Sequence, residues 1–281
     1  MFRLVGVVGA GQMGNGIAHV LAQHAYAVRL YDVAEAQVQK ALKTIEQNLG
    51  RQAKKGLVEA GQIPAILRRI TVAKAVSDLA ACDLVIEAAT EDEALKLDLF
   101  RHLDADLNAE AILATNTSSI SITRLAAVTR RPDKVIGLHF MYPAPVMQLV
   151  EVVHGMATSE ATFGAIIALV ASLEKTMVVA KDYPGFLVNR ILIPMINEAI
   201  FVLHEGIATA ADIDQGIKLG TNQPLGPLAL ADLIGLDTVL AILNTLYEGF
   251  KDPKYRPCPL LVNMVAAGYL GKKSGRGFYT Y

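Results

Sequence analysis

A glycine-rich segment near the beginning of the chain constrains the fold more than any other feature. The apolar run Leu4–Val8 leads directly into Gly9-Ala10-Gly11-Gln12-Met13-Gly14, and a helical pattern follows. The first glycine of such a segment permits a tight turn, the second lets the backbone approach a pyrophosphate, and the third lets the helix pack closely on the strand. The N–H groups at the start of the helix then hold the anion. The segment therefore predicts a strand, a phosphate-binding turn and a helix.

An acidic residue follows at the spacing that a dinucleotide site requires. Asp32 lies eighteen residues after Gly14, at the end of the second predicted strand, Ala27–Tyr31. Its carboxylate can accept hydrogen bonds from both hydroxyls of the adenosine ribose and would repel a 2′-phosphate. The pattern favours NAD over NADP because neither Lys nor Arg occurs in the next seven residues; a structural turn beside an ordinary exposed Asp is the alternative. The residues expected to contact the cofactor here are Gly9, Gly11, Gln12, Met13, Gly14 and Asp32.

The same part of the chain has an unusual charge pattern. Leu4–Val28 is a 25-residue stretch without Lys, Arg, Asp or Glu, which is long enough to span a bilayer or to pass for a signal peptide. Five glycines and several Gln, Asn and His residues within it argue against both interpretations. Because neither a cleavable leader nor an Arg-rich and Ser-rich transit segment is apparent, we expect a cytoplasmic protein with no membrane partner.

The overall composition excludes further classes of protein. Residues are 53% hydrophobic and only 19% charged, which excludes a disordered chain. The 26 Lys and Arg balance 27 Asp and Glu, so no bulk field would attract nucleic acid, and we expect no nucleic-acid partner. The two cysteines, Cys82 and Cys258, are too few to form a disulfide framework or a metal site by themselves, and the sequence predicts no metal site.

The first two thirds of the chain alternate short apolar runs with helical patterns, for example Asn15–His24 and Ala34–Leu49. The predicted strands are Leu4–Val8, Ala27–Tyr31, Leu84–Glu87, Ile112–Ala114, Val135–His139, Leu149–Val153 and Met177–Ala180. Buried runs that alternate with helices are typical of a parallel sheet covered on both faces. The sequence therefore predicts an α/β fold with a Rossmann-type doubly wound, mostly parallel sheet.

The pattern changes near Lys181. Asp182 is placed to cap a helix with Pro184 in its first turn, apolar residues then recur at helical spacing as far as Leu203, and Gly206 can end the helix. Further helical patterns follow, without a convincing strand. We therefore predict an NAD-binding domain over residues 1–183, with a helical insertion near residues 43–70, and a smaller all-α domain over residues 184–281.

Several polar residues follow or interrupt the predicted strands. His139 ends one strand, and Glu151 lies inside the next, where a carboxylate is costly unless it is exposed or paired. A His with an orienting carboxylate is suited to moving a proton to or from a hydroxyl. Asn116-Thr117-Ser118-Ser119 follows another strand, at the edge where open α/β sheets bind ligands, and Asn189 lies in the first helix of the second domain. Each residue also has a structural explanation, and spacing alone does not show that they meet.

These motifs together resemble the L-3-hydroxyacyl-CoA dehydrogenase family, and the length is most similar to its single-function bacterial 3-hydroxybutyryl-CoA dehydrogenases. The resemblance runs along the whole chain and rests on Gly9–Gly14, Asn116–Ser119, His139-Phe140, Val146–Val152, Asp182–Arg190 and Gly271–Tyr279. It implies NAD-dependent oxidation of an L-3-hydroxyacyl-CoA, of short acyl chain, to the 3-oxoacyl-CoA. It also implies that the all-α domain over residues 184–281 binds substrate and forms a homodimer.

The resemblance implies a role for each matching position. His139 matches the catalytic base that takes the 3-hydroxyl proton, and Glu151 matches the carboxylate that orients it. Ser118 matches a serine that binds substrate near the 3-oxygen and lies close to the nicotinamide, while Asn189 matches an asparagine that helps to hold the acyl group. Positions on the cofactor side are Glu91, Lys96, Asn116 and, near the C-terminus, Lys273.

Two features bear on the substrate. Lys54 and Lys55 lie in the helical insertion, where the family has a substrate-clasping helical pair, and are candidates for the phosphates of coenzyme A; a solvated helix face is the competing interpretation. The family usually reads His-Phe-Phe-Asn-Pro, whereas this chain has Tyr142 at the position of the amide. A phenol cannot copy an amide's geometry, so we expect altered substrate preference or rate rather than a different reaction class.

Two other functions compete with this interpretation. A dehydrogenase of a free hydroxy acid or sugar acid would need a carboxylate-binding Arg in place of a coenzyme A clamp. A non-catalytic NAD-binding or structural protein could keep the same fold, although the intact set of Ser118, His139, Glu151 and Asn189 argues against it.

Overall fold

A computed structural model describes residues 2–281 and divides the chain into two compact units, one up to Tyr183 and one over Pro184–Tyr281. The first unit is built on an eight-stranded sheet in the order β3-β2-β1-β4-β5-β6-β7-β8. The strands are β1 (Leu4–Val8), β2 (Ala27–Tyr31), β3 (Ile70–Val72), β4 (Leu84–Glu87), β5 (Ile112–Thr115), β6 (Val135–Phe140), β7 (Leu149–His154) and β8 (Thr176–Lys181). Only the β6–β7 pair is antiparallel among these strands. The predicted Rossmann-type, mostly parallel sheet is confirmed.

The strand order alone indicates where a ligand site is expected. The chain leaves β1 toward β2 on one side, and β4 pairs with β1 on the other. Open α/β sheets bind ligands at the carboxyl ends of the strands on either side of such a reversal. The glycine-rich turn after β1 lies at this point.

Helices cover the sheet. Those of the first unit are α1 (Gln12–Gln23), α2 (Glu35–Lys54), α3 (Ile63–Arg68), α4 (Glu93–Asp106), α5 (Ile122–Ala127) and α6 (Glu160–Ser172). The insertion predicted near residues 43–70 does not begin as a separate element at residue 43, because α2 is one continuous helix and its Ile45 and Leu49 are fully buried in the core of the unit. Strand β3 ends this region and was not predicted, since three residues, of which two are exposed, are too short to show a period.

The helix start predicted at Asp182 and Pro184 is wrong. Helix α7 (Val188–His204) begins four residues after Pro184, because Gly185 and Phe186 have positive φ angles of 74° and 50° that a helix cannot include. The Asp182 carboxylate instead accepts hydrogen bonds from the N–H groups of Ile122 and Thr123, 3.0 and 2.7 Å away, in the first turn of α5. Asp182 therefore belongs to the first unit.

The second unit is helical, as predicted. After α7 it contains α8 (Ala210–Gly220), α9 (Pro227–Ile234), α10 (Leu236–Phe250) and α11 (Pro259–Ala266). Gly206, with φ of +72°, follows the end of α7 as the sequence indicated. Buried Asp232 ties the C-terminal segment to α9 by accepting from the N–H groups of Phe278 and Tyr279, 3.0 and 2.9 Å away.

No single helix within residues 2–281 is both long and apolar enough to cross a membrane. One pair of consecutive helices, α9 and α10, meets the length and composition criteria together, although the pair is bent by 98°.

Candidate active site

The glycine-rich turn has the geometry that its sequence predicts. Gly9 adopts a φ of +94°, and a Cβ added to it would lie 2.6 Å from the carbonyl oxygen of Ala88. A Cβ at Gly14 would lie 1.7 Å from the carbonyl oxygen of Gly9, so the helix packs against the turn at a distance only glycine allows. A Cβ at Gly11 would meet no heavy atom of the described residues within 4 Å, which leaves open space on that side of the turn.

The start of α1 supplies the donors of an anion site. Gly11 is the N-cap residue, so no capping side chain occupies the first N–H groups of the helix. Gln12 and Met13 are the first two residues of α1; Gln12 is exposed and Met13 is half-buried. Unoccupied N–H groups beside open space suit a pyrophosphate.

Asp32 is joined to the same turn. One carboxylate oxygen accepts the N–H of Ala10 at 2.7 Å, and the other accepts the N–H of Ala34 at 2.9 Å. The carboxylate is half-buried at the carboxyl end of β2, next to β1. It keeps further acceptor positions for ribose hydroxyls, so the turn, the helix start and Asp32 fit the adenosine diphosphate half of NAD.

The loop that carries Ser118 is held by Glu91. A single carboxylate oxygen of Glu91 accepts the hydroxyl of Thr117 at 2.8 Å, the N–H and hydroxyl of Ser118 at 2.8 and 2.9 Å, and the hydroxyl of Ser119 at 2.9 Å. Glu91 follows β4 and Ser118 follows β5, so this contact joins two neighbouring strand ends. The structure thus brings these two predicted site residues together.

His139 and Glu151 also meet. They are directly opposite each other on antiparallel β6 and β7, and Nδ1 of His139 lies 2.7 Å from Oε2 of Glu151. Glu151 is fully buried, whereas His139 is 8% exposed. Because the two side chains share one face of the sheet, the carboxylate fixes the orientation of the imidazole ring.

Asn116 connects the two loops. Its N–H donates to the carbonyl of Glu87 at 2.8 Å, and its side-chain oxygen accepts the N–H of Phe140 at 2.8 Å. Since Phe140 follows His139, Asn116 holds the end of β6 beside the Ser118 loop.

Lys96 lies deeper than the resemblance implied. It is 1% exposed, and its ammonium group is paired with the carboxylate of fully buried Glu87. Lys54 and Lys55, at the end of α2, are both exposed.

Two predicted residues belong to the second unit. Asn189 is the second residue of α7 and is half-buried. The ammonium of Lys273 lies 2.6 Å from the Asp237 carboxylate. Burial acts to raise the pKa of Asp237, but the hydrogen bond from Lys273 and the N–H of Thr238 outweigh it and hold that pKa below its ordinary value.

Sequence reasoning missed Glu87 and Thr115, and it gave Thr117 no role of its own within the Asn116–Ser119 segment. The signal available for Glu87 was a carboxylate at the end of a fully apolar strand, which must be paired if it is buried. The two threonines carry no comparable signal, because a Thr at a strand end has many ordinary uses.

Fold and site together define an NAD-binding oxidoreductase of the Rossmann type. Residues 4–183 match the NAD-binding domain of 3-hydroxyacyl-CoA dehydrogenase, and residues 185–281 match the C-terminal domain of the same family. The chain therefore belongs to the 3-hydroxyacyl-CoA dehydrogenase family, whose members are NAD-dependent enzymes.

Individual relatives are similar over nearly their full length. A 3-hydroxybutyryl-CoA dehydrogenase of Bradyrhizobium diazoefficiens is 54% identical over all of this chain and 96% of the relative. A probable 3-hydroxybutyryl-CoA dehydrogenase of Bacillus subtilis is 50% identical over 98% of this chain and 96% of the relative. The crystal structure of (S)-3-hydroxybutyryl-CoA dehydrogenase from Ralstonia eutropha superposes with a TM-score of 0.97 at 52% identity, covering 100% of this chain and 99% of that one.

Proposed function

We propose that this enzyme oxidises a short-chain L-3-hydroxyacyl-CoA, 3-hydroxybutyryl-CoA in particular, to the 3-oxoacyl-CoA. The observation that carries the proposal is the buried His139–Glu151 pair at the carboxyl edge of the sheet that holds the dinucleotide turn. Relatives that bear the 3-hydroxybutyryl-CoA dehydrogenase name at 50% identity or more support the substrate.

His139 is the general base of the proposed reaction. Glu151 holds Nδ1, so Nε2 is the atom that takes the proton of the substrate 3-hydroxyl. The imidazole becomes cationic at that moment, and the buried carboxylate beside it stabilises the new charge. NAD, when bound, supplies the acceptor for the hydride from C3.

The remaining residues orient the reactants. Ser118, whose N–H and hydroxyl donate to Glu91, binds substrate near the 3-oxygen, and Asn189 of the second unit holds the acyl group. Lys54 and Lys55 bind phosphates of coenzyme A. On the cofactor side the proposal retains Glu91, Asn116 and Lys273 as contacts, together with Gly9, Gly11, Gln12, Met13, Gly14 and Asp32, whereas Lys96, whose ammonium is paired with buried Glu87, supports that side from inside the unit.

A cytoplasmic location and a homodimer formed through the second unit, which also binds substrate, stay predictions. Exposed apolar side chains on that unit, including Ile191 of α7 and Leu233 of α9, support a covered face.

The test compares acetoacetyl-CoA with acetoacetate as oxidants of NADH, followed by the loss of NADH absorbance. We expect turnover of the thioester alone, and we expect His139→Ala to lose most of that activity while it still binds NADH. Turnover of the free acid at a comparable rate would instead identify a hydroxy-acid dehydrogenase, and failure with both would contradict the proposed substrate class.

A further inference from the structure

A buried carboxylate outside the reacting groups occupies the centre of the site's supporting structure. Glu87 is the last residue of β4, the strand between β1 and β5, and it is fully buried. Its carboxylate accepts from three groups: the ammonium of Lys96, the hydroxyl of Thr115 at 2.8 Å and the N–H of Ala89 at 2.8 Å. An ionised carboxylate only accepts hydrogen bonds, and all three partners donate, so this is the geometry of the charged form.

One series of contacts from Glu87, the cofactor branch, leads to the glycine-rich turn. The bond to Ala89 fixes the backbone that follows β4, and the adjacent N–H of Ala88 donates to the carbonyl of Val8 at 2.7 Å. The same backbone forms the wall against Gly9, since a Cβ there would lie 2.6 Å from both Ala88 O and Ala89 Cα. Glu87 therefore determines the position of the surface on which the dinucleotide turn rests.

A second branch leads to the Ser118 loop. The hydroxyl of Thr115 donates to Glu87 and accepts the N–H of Thr117 at 3.3 Å. The hydroxyl of Thr117 then donates to the Glu91 oxygen that also accepts from Ser118. A continuous series of hydrogen bonds thus runs from Glu87 to Ser118.

The positive charge that balances Glu87 comes from another buried residue of the same unit. Lys96, on α4, is 1% exposed and neutralises Glu87 at the same carboxylate oxygen that accepts the Thr115 hydroxyl. Removing either partner alone leaves an uncompensated buried charge, whereas removing both charges together does not.

The geometry points to Glu87 as a positioning residue that sets the glycine turn and the Ser118 loop relative to each other. Hydride transfer needs the two reactants held in one alignment, and a displacement of about 1 Å in either loop is enough to lower the rate by up to a hundredfold. The inference rests on the proposed function for the role of Ser118, but its cofactor branch does not.

The first test separates the two branches with Thr115. Thr115→Val removes the hydroxyl and breaks the branch toward Ser118 while leaving the bond between Glu87 and Ala89 in place, so we expect kcat to fall about tenfold while the Kd for NADH changes less than about twofold. Thr115→Ser keeps the hydroxyl and is expected to restore kcat to within about twofold of the wild type. Hydrogen exchange of the 116–120 amides should be faster in the valine variant and normal in the serine variant.

A matched control lies near the start of β6, at the opposite end of the strands from Thr115. Thr162, on α6, is 3% exposed and donates its hydroxyl to the carbonyl of Asp133 at 2.8 Å, just before β6 begins. Thr162→Val should lower Tm to a similar extent and leave kcat unchanged. Equal loss of Tm in both valine variants with kcat unchanged in Thr115→Val would show a merely structural role and overturn the inference.

The second test addresses the cofactor branch. The double variant Glu87→Gln with Lys96→Met contains no unpaired buried charge, so it is expected to fold, and its Kd for NADH, measured by fluorescence titration, is expected to rise about tenfold. An unchanged Kd in a folded double variant would overturn this branch. Because NADH affinity and hydrogen exchange need no substrate, failure of the wild type to turn over acetoacetyl-CoA would contradict the proposed function and leave both readouts decisive for Glu87.

Discussion

His139 and Glu151 face one another across the antiparallel strands β6 and β7, with Nδ1 and Oε2 only 2.7 Å apart. The partner carboxylate is fully buried, so the imidazole has one well-defined orientation. A ring held in this way presents the same nitrogen to substrate in every turnover.

Replacing Glu151 by Gln should therefore lower kcat strongly. The amide keeps the shape but cannot stabilise a cationic imidazole, and general-base catalysis contributes about a hundredfold to ten-thousandfold. We expect a loss in that range with the Kd for NADH unchanged, measured by steady-state kinetics and titration. Glu110→Gln, which removes an exposed ion pair with Lys134, is the control and should retain full activity. Full activity of Glu151→Gln would contradict the role assigned to the pair.

Gly11 and Gly14 should respond differently to Ala. A methyl group at Gly14 collides with the Gly9 carbonyl at 1.7 Å, so Gly14→Ala should lower Tm and abolish NADH binding together. A methyl group at Gly11 meets open space, so Gly11→Ala should keep the wild-type Tm and weaken NADH binding by about tenfold or more, because only the cofactor needs that space. Equal effects of both variants on Tm would contradict this distinction. Gly164→Ala, in α6, is the control for an uncrowded helical glycine.

His19 should make stability depend on pH. Burial between α1 and α2, opposed by hydrogen bonds of the imidazole with Gln52 and Gln23 and assisted by repulsion from His24, lowers the pKa of His19 from 6.5 to about 4. The unfolded state therefore binds a proton as the pH falls below 6.5 while the folded state does not, so this contribution to stability is present above pH 6.5 and is lost toward pH 4.

The corresponding measurement is denaturant unfolding at two pH values. Between pH 7 and pH 5 the wild type should lose about 2 kcal/mol through this residue, and His19→Gln should lose correspondingly less. The same pH dependence in both proteins would assign the effect to other groups.

Tyr142 should tune substrate preference. It follows β6 three residues after His139 and its side chain is 59% exposed, so replacement should not disturb the core. We expect Tyr142→Asn to shift kcat/KM along a series of acyl-CoA chain lengths, by about tenfold between the best and worst substrates, the scale of one methylene in an apolar pocket. Tyr142→Phe keeps the ring and removes the hydroxyl, so it shows which of the two groups determines the preference. An unchanged chain-length profile for Tyr142→Asn would refute the assignment.

Lys54 and Lys55 should affect the thioester but not the cofactor. Both are exposed at the end of α2, and two contacts to phosphates in water are worth about threefold to tenfold in KM. The double alanine variant should raise KM for acetoacetyl-CoA by that factor, with the effect declining as salt rises. The matched control is Lys40→Ala with Lys43→Ala, two exposed lysines earlier on the same helix, which should leave KM unchanged.

The local sequence pattern determined several strands of this protein and the residues of its dinucleotide turn. Strand β1 coincides with the apolar run Leu4–Val8, and β4 is an apolar run that ends on Glu87, because burial on both faces of a parallel sheet leaves little room for polar residues. Gly9, Gly14 and Asp32 could be assigned from spacing because their roles depend on one strand, one turn and the next strand.

Only the tertiary structure decided which side chains meet. The sequence predicts that Asp182 caps the helix that follows it, but the positive φ angles of Gly185 and Phe186 delay that helix. The Asp182 carboxylate instead caps α5, some sixty residues earlier in the chain. The pairing of His139 with Glu151 depends on the register of β6 and β7, and the assembly around Glu87 depends on three neighbouring strands and α4. Periodicity records which face of an element is buried, whereas the partner of a buried charge is selected by long-range packing that no local pattern contains.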